Sequence, residues 1–259
     1  MSETSHTIAV RGLHKGFENN QVLRGVDIDI DKGRSLVIIG GSGSCKSVLL
    51  KCIIGLMRAD HGTVEVDGRD IARHTDSDRR YMTQRTGMLF QGSALFDSLK
   101  VWENIAFRIL NADRKSRKEA REKAIDCLTQ VGLSPEIGDL HPAALSGGMQ
   151  KRVSLARAIA SDPEILFFDE PTTGLDPIMS DVINNLIVER VKALGASAIS
   201  ITHDMASARK IADEVAMLYQ GRIIWRGKPE ELERSGNPMV DQFVHGRAEG
   251  PIKMALRRS

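Results

Sequence analysis

Ser35-Leu36-Val37-Ile38-Ile39-Gly40-Gly41-Ser42-Gly43-Ser44-Cys45-Lys46-Ser47 is the most informative stretch of this chain. An apolar run, Ser35–Ile39, is followed by a Gly/Ser segment and then by a helical pattern over Lys46–Leu56, which predicts strand, loop and helix. That placement is the one a phosphate-binding loop of the form G-x-x-x-x-G-K-[ST] requires. Backbone N–H groups of Gly40, Gly41, Ser42, Gly43, Ser44 and Cys45 would converge on phosphate oxygens, and the helix N-terminus adds donors and a favourable dipole. Lys46 would reach the β- and γ-phosphates, and the Ser47 hydroxyl would bind Mg2+. The loop departs from the pattern at one place: the residue before the lysine is Cys45, not glycine. A β-carbon and a sulfur at that position are expected to crowd the phosphates and weaken ATP binding without altering the fold. Taken alone, the stretch also fits a glycine-rich strand–helix turn with no ligand.

Outward from this stretch, alternation in Ile8–Val10 and in Val26, Ile28 and Ile30 predicts early antiparallel strands. Thr63–Val66, before Asp67-Gly68, and Thr86–Phe90 read as further strands. From about Val101 to Ala160 the pattern is helical, with Lys115–Val131 charged and amphipathic. Ile165–Phe168 returns to a buried strand, Ile178–Leu194 and Met205–Ile211 read as helices, and Ala198–Ile201 reads as a strand. Val215–Tyr219 and Ile223–Arg226 flank Gln220-Gly221 as a hairpin. Strands alternating with helices imply a mainly parallel sheet with a helix-rich insertion. Arg247–Ser259 is expected to be an extended or mobile tail.

The chain has 259 residues, 41% hydrophobic and 27% charged, with a net charge of +2. Those values suit a folded α/β protein and give no basic excess that would point to nucleic acid. Three cysteines, Cys45, Cys52 and Cys127, contain no C-x-x-C pair and suggest neither a disulfide framework nor a zinc site. Met1–Thr7 lacks the apolar stretch of a signal peptide, and no run approaches the roughly 20 apolar residues of a membrane span. If the protein works at a membrane, another chain is expected to cross it.

Two further segments carry chemistry. Ile165-Leu166-Phe167-Phe168-Asp169-Glu170 is an apolar strand ending in two carboxylates. Asp169 suits the Mg2+ side of a nucleotide site, and Glu170 suits deprotonating an attacking water. Leu145-Ser146-Gly147-Gly148-Met149-Gln150 opens a helical run and offers a second phosphate-binding helix terminus. An acidic strand-end turn and a serine N-cap are the bland readings of each.

In combination and in order, Gly40–Ser47, Leu145–Gln150 and Ile165–Glu170 resemble the ABC ATPases. Gln91 matches that family's Q-loop glutamine, Gly174-Leu175-Asp176-Pro177 its D-loop, His203 its switch histidine and Phe17 the aromatic that stacks on adenine. Singly, Phe17 could be a core aromatic and His203 a satisfied surface histidine. The resemblance implies a P-loop ABC ATPase fold over 1–246: a RecA-like core, an antiparallel β subdomain, and a helical subdomain inserted at about 93–162, followed by a tail at 247–259. It also implies ATP and Mg2+ as cofactors, with Ser47, Gln91 and Asp169 on the metal side. Lys46, Gln91, Glu170 and His203 would form the catalytic set. A head-to-tail dimer would follow, in which Ser146, Gly147 and Gly148 cover the ATP of a second copy and Asp176 crosses the interface.

Gln91-Gly92-Ser93-Ala94-Leu95-Phe96-Asp97-Ser98-Leu99, Gly174–Ile178 and Gln242–Pro251 are similar to the ATPases of Mla-type phospholipid-trafficking systems. That likeness implies permease subunits, an Mce-domain substrate-binding protein and a STAS-like regulator as partners, at the cytoplasmic face of a bacterial inner membrane. Part of Leu95, Phe96, Leu99, Val101 and Trp102 is expected to form a groove for a permease helix, or else to be subdomain core. An importer ATPase for a small polar solute would carry the same sites. A cassette that no longer hydrolyses ATP, because of Cys45, is a third reading. A ribosome- or DNA-directed ABC ATPase would be expected to show paired cassettes or a long coiled-coil insertion, and neither is seen.

Overall fold

The computed structural model describes residues 6–18, 20–41, 45–71, 75–113 and 115–253. Ser42, Gly43 and Ser44 of the expected phosphate loop therefore lie outside the described residues. Two sheets organise the chain. An antiparallel four-stranded sheet has the order β2-β1-β4-β5, formed by β1 (His6–Phe17), β2 (Asn20–Asp31), β4 (His61–Val66) and β5 (Arg69–Asp70). The second sheet has six strands in the order β10-β9-β3-β8-β7-β6. They are β3 (Ser35–Ile39), β6 (Thr86–Leu89), β7 (Ile165–Asp169), β8 (Ser197–Thr202), β9 (Glu214–Tyr219) and β10 (Arg222–Gly227). All neighbours in it are parallel except the β9–β10 hairpin.

Helices cover both faces of this second sheet, which is why β3, β7 and β8 read as unbroken apolar runs. The period of two still sorts their side chains. Leu36, Ile38, Ile165, Phe167, Ile199 and Ile201 share one core with α1 (Lys46–Ile54) and the antiparallel sheet. Val37, Ile39, Leu166, Phe168 and Ala198 share the other with the remaining helices. Phe167 and Phe168 are both fully buried, each contributing about 1.5–3 kcal/mol by that burial.

The inserted helical region comprises α3 (Val101–Ile105), α4 (Phe107–Asn111), α5 (Arg117–Gln130) and α6 (Gly147–Ile159). Trp102, Ile105, Ala120, Ala124, Leu128 and Val153 form its interior. Val101 and Trp102 are thus core residues, whereas Phe96 is 45% exposed. Asn104, fully buried, pins the segment before α3: its Oδ1 accepts the Phe96 N–H at 2.7 Å, and its Nδ2 donates to the Phe96 carbonyl at 3.0 Å.

The sequence reading omitted α2 (Asp76–Arg85), which has only Tyr81 and Met82 as large apolar residues and so no periodic stripe. Its start is fixed by a capping box, in which Thr75 Oγ1 accepts the Asp78 N–H and Asp78 Oδ2 accepts the Thr75 N–H. The hairpin turn Gln220-Gly221 has φ of 46° and 80°, the left-handed pair of a two-residue turn. After α7 (Pro177–Leu194), α8 (Met205–Ile211) and α9 (Pro238–Val244), the chain folds back on Gln242. The Gln242 side chain bonds the Arg247 carbonyl and both the N–H and carbonyl of Ile252.

Close approach of β6 to α6 depends on Gly87. A β-carbon there would lie 2.0 Å from the Ala158 carbonyl oxygen. Gly87→Ala is therefore expected to destabilise the protein by about 1–3 kcal/mol through overpacking, measured by urea unfolding. An unchanged midpoint would contradict this tight seam.

Candidate functional site

Register brings the chemically active residues to one edge of the parallel sheet. Ile39 pairs with Thr202 and Asp169 with Ile201, so Gly40, Glu170 and His203 each follow a strand end at the same level. Leu89 pairs with Phe168, which brings the turn containing Gln91 to that edge too. In open parallel sheets, ligands bind outside the carboxyl ends of the strands.

Lys46, only 6% exposed, opens α1 beneath the loop. Its ammonium donates to the carbonyls of Gly40 at 2.7 Å and Gly41 at 3.1 Å, and lies 4.0 Å from Glu170 Oε1. Burial pushes the Lys46 pKa down, opposed by the charges of Glu170 and Asp169. Cys45 caps α1 with φ 69° and ψ 5°, in the left-handed region. The position therefore carries the backbone conformation of a glycine, at a cost of roughly 1–2 kcal/mol for a residue with a β-carbon.

Glu170, 8% exposed, also has a left-handed backbone, φ 48°, held by its N–H to the Ile201 carbonyl at 2.9 Å. Its Oε2 lies 2.8 Å from His203 Nδ1 and accepts from Thr173 Oγ1 at 3.1 Å. Asp169 is 8% exposed, and its Oδ1 is buried with no hydrogen-bond partner. Burial, then the neighbouring Glu170 charge, raises its pKa, while a hydrogen bond from Ser47 works the other way. An orphaned carboxylate oxygen beside a serine hydroxyl is a hard-oxygen donor set of the kind Mg2+ takes with phosphates. Among the described residues no group of three or more His, Cys, Asp or Glu could hold a metal. A phosphate-assisted Mg2+ site has no need of one.

The sequence-derived residues thus divide. Lys46, Ser47, Asp169, Glu170 and His203 gather at the strand ends. Ser146, Gly147 and Gly148 stand at the start of α6, where the Ser146 hydroxyl accepts the Met149 N–H at 3.3 Å. A β-carbon on Gly147 would meet nothing within 4 Å, so that helix end is open. Asp176 caps α7, its Oδ1 accepting the Met179 N–H at 2.9 Å. Met179 in turn packs against Gly148, where a β-carbon would lie 3.0 Å from its Cγ. Phe17, at the end of β1, is 45% exposed with the Lys15 ammonium 5.5 Å from its ring centre. Gln91 is exposed, and its carbonyl accepts from the buried Lys151 ammonium. Lys151 and Thr173 were missed in the sequence, because a lysine in a helical run and a threonine in a turn carry no signal of their own.

Among the described residues no helix is long and apolar enough to cross a membrane. The family described as ABC transporter matches residues 23–173. The chain is 37% identical over 246 residues to the intermembrane phospholipid transport system ATP-binding protein MlaF of Haemophilus influenzae, covering 95% of this chain and 93% of that protein. It is likewise 37% identical over 260 residues to the histidine/lysine/arginine/ornithine transport ATP-binding protein HisP of Escherichia coli, covering 95% and 99%. A dimeric post-hydrolysis ATP-binding cassette bound to ADP and Pi superposes with a TM-score of 0.80 at 28% identity, covering 86% of this chain and 98% of that one. With its P-loop ABC fold, and with a family match over more than half its length, the chain belongs to the ABC transporter family as an ATP-binding, ATP-hydrolysing transport subunit.

Proposed function

We propose that two copies of this chain clasp ATP head to tail, and that closure of the pair drives permease subunits moving phospholipid between the inner and outer membranes. The observation that carries the dimer is the split of the site. Lys46 and Glu170 are buried side by side with the exposed His203 next to them, so carboxylate and cation are in place, while Ser146 and Gly147 at the start of α6 face outward. Each copy would thus lay its α6 N-terminus on the partner's γ-phosphate, with Asp176 at the same interface. Phe17 would stack on adenine.

Hydrolysis then needs positioning and charge stabilisation. Water attacks the γ-phosphorus and the bond to the β–γ bridging oxygen breaks, giving ADP and phosphate. Glu170 takes the water proton. Before ATP arrives its carboxylate is engaged by His203 and Thr173. The γ-phosphate competes for Lys46 and His203, releasing Glu170 toward the water. Ser47 and Asp169, with Gln91 beside them, would hold Mg2+, which when bound neutralises phosphate charge. ATP binds the closed pair better than the open one, and that difference in affinity is what can do mechanical work.

The lipid reading is supported by likeness to MlaF and by the segments 91–99, 174–178 and 242–251. The equal identity to HisP favours a second reading, a polar-solute importer. Phospholipid and an Mce-domain partner co-purifying with the intact inner-membrane complex would support the first; a solute-binding protein in their place would support the second. A STAS-like chain would be the regulator. A permease-facing surface around Phe96 is supported by the exposure of Phe96 and Phe107, 45% and 40%, whose ring centres are 4.7 Å apart. Phe96→Asp is expected to abolish permease co-purification while ATP binding is kept; retained co-purification contradicts that placement.

Glu170→Gln is expected to lower the hydrolysis rate by about 10²–10⁴-fold and to trap an ATP-bound pair, read by light scattering with MgATP. Undiminished turnover removes Glu170 from its role. Cys45→Gly relieves a left-handed cysteine and opens room for phosphate, so ATP affinity is expected to rise by about threefold or more, measured by calorimetry. Folding stability is expected to change by less than about 1 kcal/mol, since glycine restores chain entropy to the unfolded state. Unchanged affinity would acquit Cys45, and undetectable hydrolysis by the wild-type complex would favour a hydrolysis-impaired cassette.

A further inference from the structure

Asp60 lies in the connection from α1 to β4 and holds three consecutive residues of β1. Its N–H donates to the His14 carbonyl at 2.8 Å. Its Oδ1 accepts from the Lys15 ammonium at 2.7 Å, and its Oδ2 accepts from the Gly16 N–H at 2.7 Å. Hydrogen bonds from Lys15 and then from Gly16 hold the Asp60 carboxyl below its usual range. The next residue along β1 is Phe17, which would stack on adenine. β1 is irregular here: its register shifts at Leu13/His14 and Lys15/Gly16 against β2, and at Arg11/His14 against β4. Such irregularities bend a strand and leave residues unpaired. An exposed ion pair by itself contributes little. Here three bonds converge on one residue, and the Lys15 side chain is only 16% exposed.

Lys15 has a second contact. Its ammonium lies over the Phe17 ring, 5.5 Å from the centre, within range of the attraction between a cation and the negative face of an aromatic ring. Lys15 is thus held between Asp60 and Phe17. The ring keeps exposed surface for a base. A cation drawn to one face pulls charge from the other, which favours an electron-rich purine there. The pair also acts on the phosphate half of the site. Burial pushes the pKa of the Cys52 thiol on α1 up to about 11, with the Lys15 charge opposing and the Asp60 charge assisting. That helix opens at Lys46. A base platform tied to it stands at a set distance from the phosphate loop.

We propose that Lys15 and Asp60 are positioning residues for the nucleobase: they hold Phe17 with one face toward a purine, at a fixed reach from the phosphate loop. The proposal rests on the stacking of Phe17 on adenine. Lys15→Met keeps the length of the side chain but takes the ammonium from both Asp60 and the ring. Lys15→Arg restores a cation that can bond a carboxylate and lie over an aromatic face.

The test is displacement of a ribose-labelled fluorescent ATP analogue from the full-length chain by MgADP and, separately, by magnesium pyrophosphate, which has the same phosphates and no base. Neither measurement depends on hydrolysis. Lys15→Met is expected to weaken MgADP by about five- to tenfold and pyrophosphate by less than about twofold. Lys15→Arg is expected to return MgADP to within about twofold of wild type, which a purely packing role would not do. Should Lys15→Met fail to fold, Asp60→Asn is read in the same way. It keeps an acceptor for Gly16 but drops the charge, with an expected loss of about threefold. Phe17→Ala is the reference, expected to weaken MgADP by about tenfold. If Phe17→Ala leaves MgADP affinity unchanged, the stacking is refuted and the positioning role with it. If Phe17→Ala weakens MgADP while Lys15→Met and Asp60→Asn do not, the positioning role alone is refuted. Equal losses of MgADP and pyrophosphate in those two variants refute it as well.

Discussion

A buried ammonium governs this structure. Lys46 is almost wholly removed from water at the start of α1, and its charge is matched by the carbonyls of Gly40 and Gly41 and by Glu170, 4.0 Å away. Those partners come from the ends of β3 and β7, which are brought level by the register of β8 between them. The parallel sheet is therefore the device that keeps a lysine, a glutamate and a histidine from three distant parts of the chain within one site. Phosphate entering that site meets a cation already stripped of water, where electrostatic attraction is strongest.

Four of the eight non-glycine residues with positive φ among the described residues belong to the same place. Cys45, Ser93, Ala94 and Glu170 all hold positive φ without being glycine, and each lies in the phosphate loop, the Gln91 turn or the β7 end. Such backbone states persist where neighbouring structure over-determines them. For Glu170 the constraint is its N–H bond to Ile201. For Ser93 and Ala94 it is α6, through Ser154 and Arg157.

Much of this was legible in the sequence, for physical reasons. A strand buried on both faces must be a continuous apolar run, so β3, β7 and β8 stood out, and a glycine-rich turn after such a run leaves little choice but a loop onto a helix. Lys46, Asp169, Glu170 and His203 were found because each sits at the end of such a run or in an ordered series of them. What escaped notice depends on tertiary contact. α2 has no apolar stripe and is secured by its cap and by Arg69 and Arg85 flanking the Tyr81 ring at 4.7 and 4.8 Å. Lys151 looks like a surface lysine until the Gln91 turn docks on it. Among Leu95–Trp102, local pattern could not separate the buried Val101 and Trp102 from the exposed Phe96. That division is made by Asn104 and the packing of α3 on α5.

In the proposed pair, each half-site would be completed by the other copy. The most direct test is a structure of two full-length Glu170→Gln copies with MgATP. The account predicts a γ-phosphate within hydrogen-bond distance of Lys46 Nζ from one copy and Ser146 Oγ from the other. A bound nucleotide whose γ-phosphate meets Lys46 but no Ser146 of the partner would contradict it.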